Sequence, residues 1–120
     1  MSLGSSLIVD DNESFLQVAR DVLEQEGLVV VGVASTSANA VREVRRLDPD
    51  VVLVDVFLGD ESGLELARRL AADGEKVILI STHPEADLVG LIADSPAVGY
   101  LQKSDLSAEA IRRISDGHPS

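Results

Sequence analysis

Short apolar runs punctuate the chain, and each stops at polar residues. Leu7-Ile8-Val9 runs into Asp10-Asp11, Val51-Val52-Leu53-Val54 into Asp55, and Val77-Ile78-Leu79-Ile80 into Ser81-Thr82. Val98 to Gln102, shorter and more polar, runs into Lys103, and the β-branched stretch Leu28 to Ala34 runs into Ser35. Continuous apolar runs of this length, rich in β-branched residues, predict strands buried on both faces, as in a parallel sheet covered by helices. The last run has the polarity of an edge strand.

Helical spacing fills the intervals. Phe15, Val18, Ala19, Val22 and Leu23 predict a first helix over about 14–26, entered through Asp11-Asn12-Glu13 and closed by Gly27. Ser35-Thr36-Ser37 caps a second helix with the face Ala40, Val41, Val44 and Leu47, stopped by Pro49. Residues 59–63 read as a loop, and Leu64, Leu66, Ala67, Leu70 and Ala71 as a third helix ending at Gly74. A fourth helix starts near Pro84 with the face Leu88, Leu91, Ile92 and Ala93, although Gly90 and Asp94-Ser95-Pro96 interrupt it. Ser107 caps a fifth, with Ala110, Ile111 and Ile114 facing inward. Five strands alternating with five helices predict an α/β fold of parallel βαβ units with right-handed crossovers. We place the domain at residues 7–117, between a leader of residues 1–6, disordered or artificial, and a tail of residues 118–120.

In such a sheet the carboxyl ends of the strands share one edge, where open α/β sheets bind ligands. Asp10, Asp11, Asp55, Ser81, Thr82 and Lys103 therefore converge despite their separation along the chain. Three acids against one Lys leave excess negative charge, which a hard divalent cation such as Mg2+ would balance through oxygen ligands and retained waters. A carboxylate beside a cation, an ammonium and a hydroxyl suits phosphoryl chemistry. It can act as nucleophile, and the positive groups stabilise charge on the phosphoryl oxygens. Taken singly the residues are ordinary: Asp10 and Asp11 as helix-cap acids, Asp55 as a solvated strand end, Lys103 as a surface Lys, Ser81 as a turn residue. The information lies in the ordered set.

Composition narrows the classes. The 120 residues suit one domain, and with no Cys there is neither a disulfide framework nor a thiolate metal site. A net charge of -11 argues against a nucleic-acid or anionic-membrane surface on this segment. The apolar runs are far too short to span a bilayer, and no signal sequence is apparent.

The motifs Leu7-Ile8-Val9-Asp10-Asp11, Val54-Asp55-Val56-Phe57-Leu58 with Gly63, Ile80-Ser81-Thr82 and Gly99-Tyr100-Leu101-Gln102-Lys103 together resemble the receiver domains of two-component response regulators, of the chemotaxis-regulator type. The resemblance runs from Leu7 to about Ile114. It implies a doubly wound, flavodoxin-like (βα)5 fold with a five-stranded parallel sheet in the order 2-1-3-4-5. It implies Asp55 as phosphoacceptor, and Asp10, Asp11, Asp55 and the Phe57 backbone carbonyl as the site for Mg2+ (or Mn2+). It further implies Lys103 as the phosphoryl contact, Ser81 as the switch hydroxyl and Tyr100 as the switch aromatic that turns inward. Thr82 stands where a smaller residue is expected and would narrow access. The implied partner is a histidine kinase or phosphotransfer protein. The implied output is a changed surface on the fourth helix, fifth strand and fifth helix, available for homodimerisation. The implied setting is cytoplasmic and the implied process transcription regulation; the segment is either a whole natural chain or one cut from a longer regulator with an output domain. Such a domain is not an enzyme on an external metabolite; it speeds only its own phosphorylation and dephosphorylation.

Two departures stand out. Gly59 occupies the place of a frequent Pro, and Ser104 follows Lys103 where a Pro after a cis bond is common. A cis bond before a non-Pro residue costs about 2.5–4 kcal/mol, so the 103–104 peptide is either cis or trans with a shifted loop. His83 lies close enough to the site to influence water access, or is a plain loop residue. Asp60 and Glu61 read as a solvated loop face. An aspartyl-phosphate hydrolase would want a second Asp where Phe57 stands. A flavin or nucleotide module would want a Gly- or Ser-rich loop in place of Asp10-Asp11-Asn12-Glu13. A degenerate receiver acting without phosphorylation has the intact acid set against it.

Overall fold

The computed structural model describes residues 4–116. Its elements are β1 (Ser5–Val9), α1 (Glu13–Gln25), β2 (Val29–Ala34), α2 (Ser37–Leu47), β3 (Val51–Asp55), β4 (Phe57–Leu58), β5 (Glu61–Ser62), α3 (Gly63–Ala72), β6 (Val77–Ser81), α4 (Val89–Ala93), β7 (Gly99–Gln102) and α5 (Ala108–Ser115). Single 3-10 turns, Glu85–Leu88 and Lys103–Asp105, precede α4 and α5. The main sheet is parallel throughout, in the order β2-β1-β3-β6-β7. Counting only these five strands, that is the expected order 2-1-3-4-5.

The apolar runs are continuous because both faces of the sheet are covered. Leu7, Val9, Val52, Val54, Val77 and Leu79 point to one face and meet α2 and α3 through Ala40, Val41, Val44, Leu66, Ala67 and Leu70. Ile8, Leu53, Ile78 and Ile80 point to the other and meet α1 and α5 through Leu16, Ala19, Leu23 and Ile111. The alternation is the period of two of a strand, with apolar residues in both phases.

Several boundaries and faces differ from those predicted. β1 begins at Ser5, not Leu7, since Ser5 and Ser6 pair with Val29 and Val30 of β2. The expected domain end at residue 117 and the tail 118–120 lie outside the described residues. α1 buries Leu16, Ala19 and Leu23, while Val18 and Val22 are exposed. Two apolar stripes run side by side on this helix, and the spacing alone could not say which meets the sheet. Residues 59–63 are not plain loop: Phe57 and Leu58 pair antiparallel with Ser62 and Glu61, and Gly63 opens α3. Helix α4 is only five residues long, and of its predicted face Leu88 is buried, Ile92 half-buried, and Leu91 and Ala93 exposed. Val98 is exposed and β7 starts one residue later. All described peptide bonds are trans, including 103–104, and the chain there forms the 3-10 turn.

Candidate functional site

Strand register assembles the site. Val9 of β1 lies opposite Val54 of β3, and Asp55 opposite Ile80 of β6. One step along, Asp10 comes level with Asp55, and Ser81 is level with Gln102 on β7. The first loop is then turned by side chains. Asp10 Oδ1 accepts from the Asn12 amide at 2.9 Å, and Asn12 Oδ1 caps α1 by accepting from the Phe15 amide at 3.1 Å. Capping thus falls to Asn12, leaving Asp10 and Asp11 to face the strand ends.

Asp10, Asp11 and Asp55 offer carboxylate oxygens that all lie within 4.8 Å of one another. Asp10 is fully buried, Asp55 nearly so, and Asp11 exposed at the mouth. Lys103 Nζ reaches in from the end of β7, 2.5 Å from Asp10 Oδ2 and 3.2 Å from Asp55 Oδ2. The ammonium thus ion-pairs with both buried carboxylates, more closely with Asp10. The other Asp55 oxygen, Oδ1, accepts from the Phe57 amide at 3.1 Å. Phe15 covers Lys103 from α1, its ring centre 4.3 Å from Nζ, a cation–π contact.

The protonation equilibria follow from this packing. Burial, reinforced by the neighbouring Asp10 charge, pushes the Asp55 carboxyl above its usual range, against the Phe57 amide and Lys103. Burial alone would lower Lys103, but Asp10 and Asp55 outweigh it and raise the ammonium above its ordinary value. Three carboxylates against one ammonium leave negative charge uncompensated. The donors are all hard oxygens, so the set fits a hard divalent cation of the Mg2+ class.

Ser81 and Tyr100 belong to an adjoining cluster. Ser81 is buried, and its Oγ lies 3.1 Å from His83 Nδ1 and accepts from the His83 amide at 3.1 Å. Tyr100 is buried and donates its hydroxyl to the His83 carbonyl. Burial raises the phenol's pKa. Thr82 is exposed, and its carbonyl accepts from Gln102 Nε2 at 3.2 Å. The Phe57 ring, half-exposed, packs against the His83 ring at 5.3 Å between centres.

The hairpin β4–β5 holds the loop beside Asp11. Gly59 turns it with φ +59°, and a β-carbon there would sit 3.1 Å from Asp11 Oδ2. Glu61 is not merely a solvated acid: its Oε1 accepts from the Ser37 amide at 2.8 Å and caps the start of α2. Phe15 over Lys103 and Glu61 on α2 escaped sequence reasoning, because nothing in their spacing announces the contact.

Comparison with known proteins agrees with this geometry. The response regulator receiver domain family matches residues 6–115. The chain is 35% identical to the response regulator UvrY of Escherichia coli over 111 residues, covering 90% of this chain but 51% of UvrY. It thus spans about half the length of that relative. Among solved structures it resembles the signal receiver domain of NarL from Mycobacterium tuberculosis, with TM-score 0.83, 26% identity and coverage of 98% and 100% of the two chains. It also resembles a response regulator from Burkholderia pseudomallei solved with a phosphorylated aspartic acid, a calcium ion and citrate. There the TM-score is 0.73, the identity 27%, and the coverage 90% of this chain and 64% of that one. Fold, acid cluster and matched sequence coincide over nearly the same residues, and the chain belongs to the response regulator receiver domains, the signalling domains of two-component systems.

Proposed function

We propose that Asp55 accepts a phosphoryl group from the phosphohistidine of a partner kinase or phosphotransfer protein. An Asp55 carboxylate oxygen attacks phosphorus, the P–N bond to histidine breaks, and an acyl phosphate forms. The carrying observation is the convergence of three carboxylates on the Lys103 ammonium at the carboxyl edge of the sheet. Lys103 balances charge on the incoming phosphoryl oxygens, and the Phe57 amide holds Asp55 in a fixed orientation. Asp10, Asp11, Asp55 and the Phe57 carbonyl would hold Mg2+ or Mn2+, which supplies charge neutralisation on the transferring group.

Ser81 and Tyr100 are the switch. Ser81 changes partner towards the phosphoryl group, and the segment after β6 carries Tyr100 with it, altering the surface of α4, β7 and α5. Exposed Val89, Leu91 and Val98 give that surface apolar area for a second copy of the chain. Thr82, beside Ser81, limits water access to the acyl phosphate. The domain catalyses only its own phosphorylation and hydrolysis, and acts within a longer cytoplasmic transcription regulator; the half-length match to UvrY supports an output domain beyond it. Among the described residues no helix is long and apolar enough to cross a membrane.

Intact-mass measurement after incubation with acetyl phosphate tests the reading. We expect a gain of one phosphoryl group with Mg2+, none with EDTA, and none in Asp55→Asn. Phosphate retained in Asp55→Asn would overturn the acceptor assignment.

A further inference from the structure

His83 holds more of the site together than its exposed position suggests. Its Nδ1 and its amide both engage Ser81 Oγ, at 3.1 Å each. Its carbonyl takes the Tyr100 hydroxyl. Its ring packs on Phe57, whose amide in turn binds Asp55 Oδ1. One residue therefore links the hydroxyl, the aromatic and the acceptor's own hairpin.

A serine hydroxyl has one proton to donate. To bind a phosphoryl oxygen on Asp55, Ser81 must donate that proton to it. Ser81 is 1% exposed, so its hydroxyl has little direct access to bulk solvent. With the ring proton on Nε2, His83 Nδ1 accepts from Ser81 Oγ, and that tautomer is part of the proposal. The hydroxyl proton then has two alternative acceptors in a buried setting, where hydrogen bonds are strong. The His83 amide adds a second tether that keeps Oγ turned towards the imidazole.

We propose that His83 is a positioning residue that competes with the phosphoryl group for the Ser81 hydroxyl and so sets how readily the phosphorylated state is reached. The proposal rests on Asp55 as acceptor and Ser81 as switch hydroxyl. The imidazole acts through Ser81 and touches no reacting atom. Removing it frees the hydroxyl. An Asn at position 83 can present its side-chain oxygen near the place of Nδ1 and restore the competition, which a merely structural role for the ring does not predict.

The test is the affinity of the whole chain for beryllium fluoride, a phosphoryl mimic, measured by titration with saturating Mg2+. We expect His83→Ala to bind about three- to tenfold tighter than wild type, the factor one neutral hydrogen bond commands. His83→Asn should lie near wild type. In a Ser81→Ala background, His83→Ala should change nothing, because the competed proton is gone. Unchanged affinity in His83→Ala, or an equal shift with and without Ser81, overturns the role of His83 alone. Failure of wild type to bind, or binding that survives Asp55→Asn, overturns the acceptor reading and this proposal with it.

Discussion

The backbone carbonyl of Asp55 occupies the space that a β-carbon on residue 63 would need: the two atoms would be 1.7 Å apart. The Gly63 amide also donates to the Val56 carbonyl at 3.0 Å, so α3 starts directly against the strand that carries Asp55. The requirement is for space and not for an unusual backbone angle. No flexible side chain can yield there, since the obstructing atom is backbone.

Gly63→Ala should therefore displace the start of α3 and the hairpin before it. Overpacking of this kind costs about 1–3 kcal/mol. We expect a lower urea midpoint with an unchanged slope, together with slower phosphorylation by acetyl phosphate because Phe57 and Asp55 shift. A midpoint equal to wild type would mean that the helix start yields freely.

Asp55→Asn should stabilise the fold at neutral pH while abolishing phosphorylation. Burial raises the Asp55 pKa above its unfolded value. Between the two values the native state holds more protons than the unfolded state, so stability falls as pH rises through the raised pKa. The Asn variant lacks that loss. Its advantage should be small near pH 3 and reach a plateau at neutral pH, as read from urea midpoints across pH in EDTA. A constant difference at all pH values would refute the assignment to Asp55 ionisation.

Lys103→Met should destabilise by about 3 kcal/mol, because fully buried Asp10 loses its counter-charge. Mg2+ should recover part of the loss by supplying positive charge in its place. The raised Lys103 pKa gives wild type a contribution that is complete below the unfolded lysine value and is lost as pH rises through the folded one. Wild type should thus lose more stability at alkaline pH than the Met variant, the loss that comes from buried Tyr100 being common to both. Thermal unfolding with and without Mg2+ between pH 7 and 11 reads both effects.

Saturation with Mg2+ at a hundredfold its Kd should stabilise wild type by about 2.7 kcal/mol, reversibly with EDTA. Asp11→Ala should lose most of this gain with little change in the metal-free protein, since Asp11 is exposed and forms no ion pair among the described residues. An undiminished Mg2+ effect in that variant would remove Asp11 from the ligand set.

The strands, their order of occurrence and the acid set were legible because they depend on local pattern. Val51 to Asp55 is apolar on both faces and ends in a charge, as a central strand of a covered parallel sheet does. Asp10, Asp55 and Lys103 each end a strand, so topology alone carries them to one edge. What the sequence could not decide were choices between equivalent local options. Leu16 and not Val18 faces the core of α1 because of the angle at which the helix meets the sheet. Asn12 caps α1, which leaves the neighbouring acids for the site. Glu61 reaches α2, Phe15 covers Lys103, and Ser81 is held by His83, all across turns or distances that no periodicity encodes. Period and charge fix which residues reach the edge of the sheet; which atoms touch there depends on packing between elements distant in the chain, and only the tertiary structure sets it.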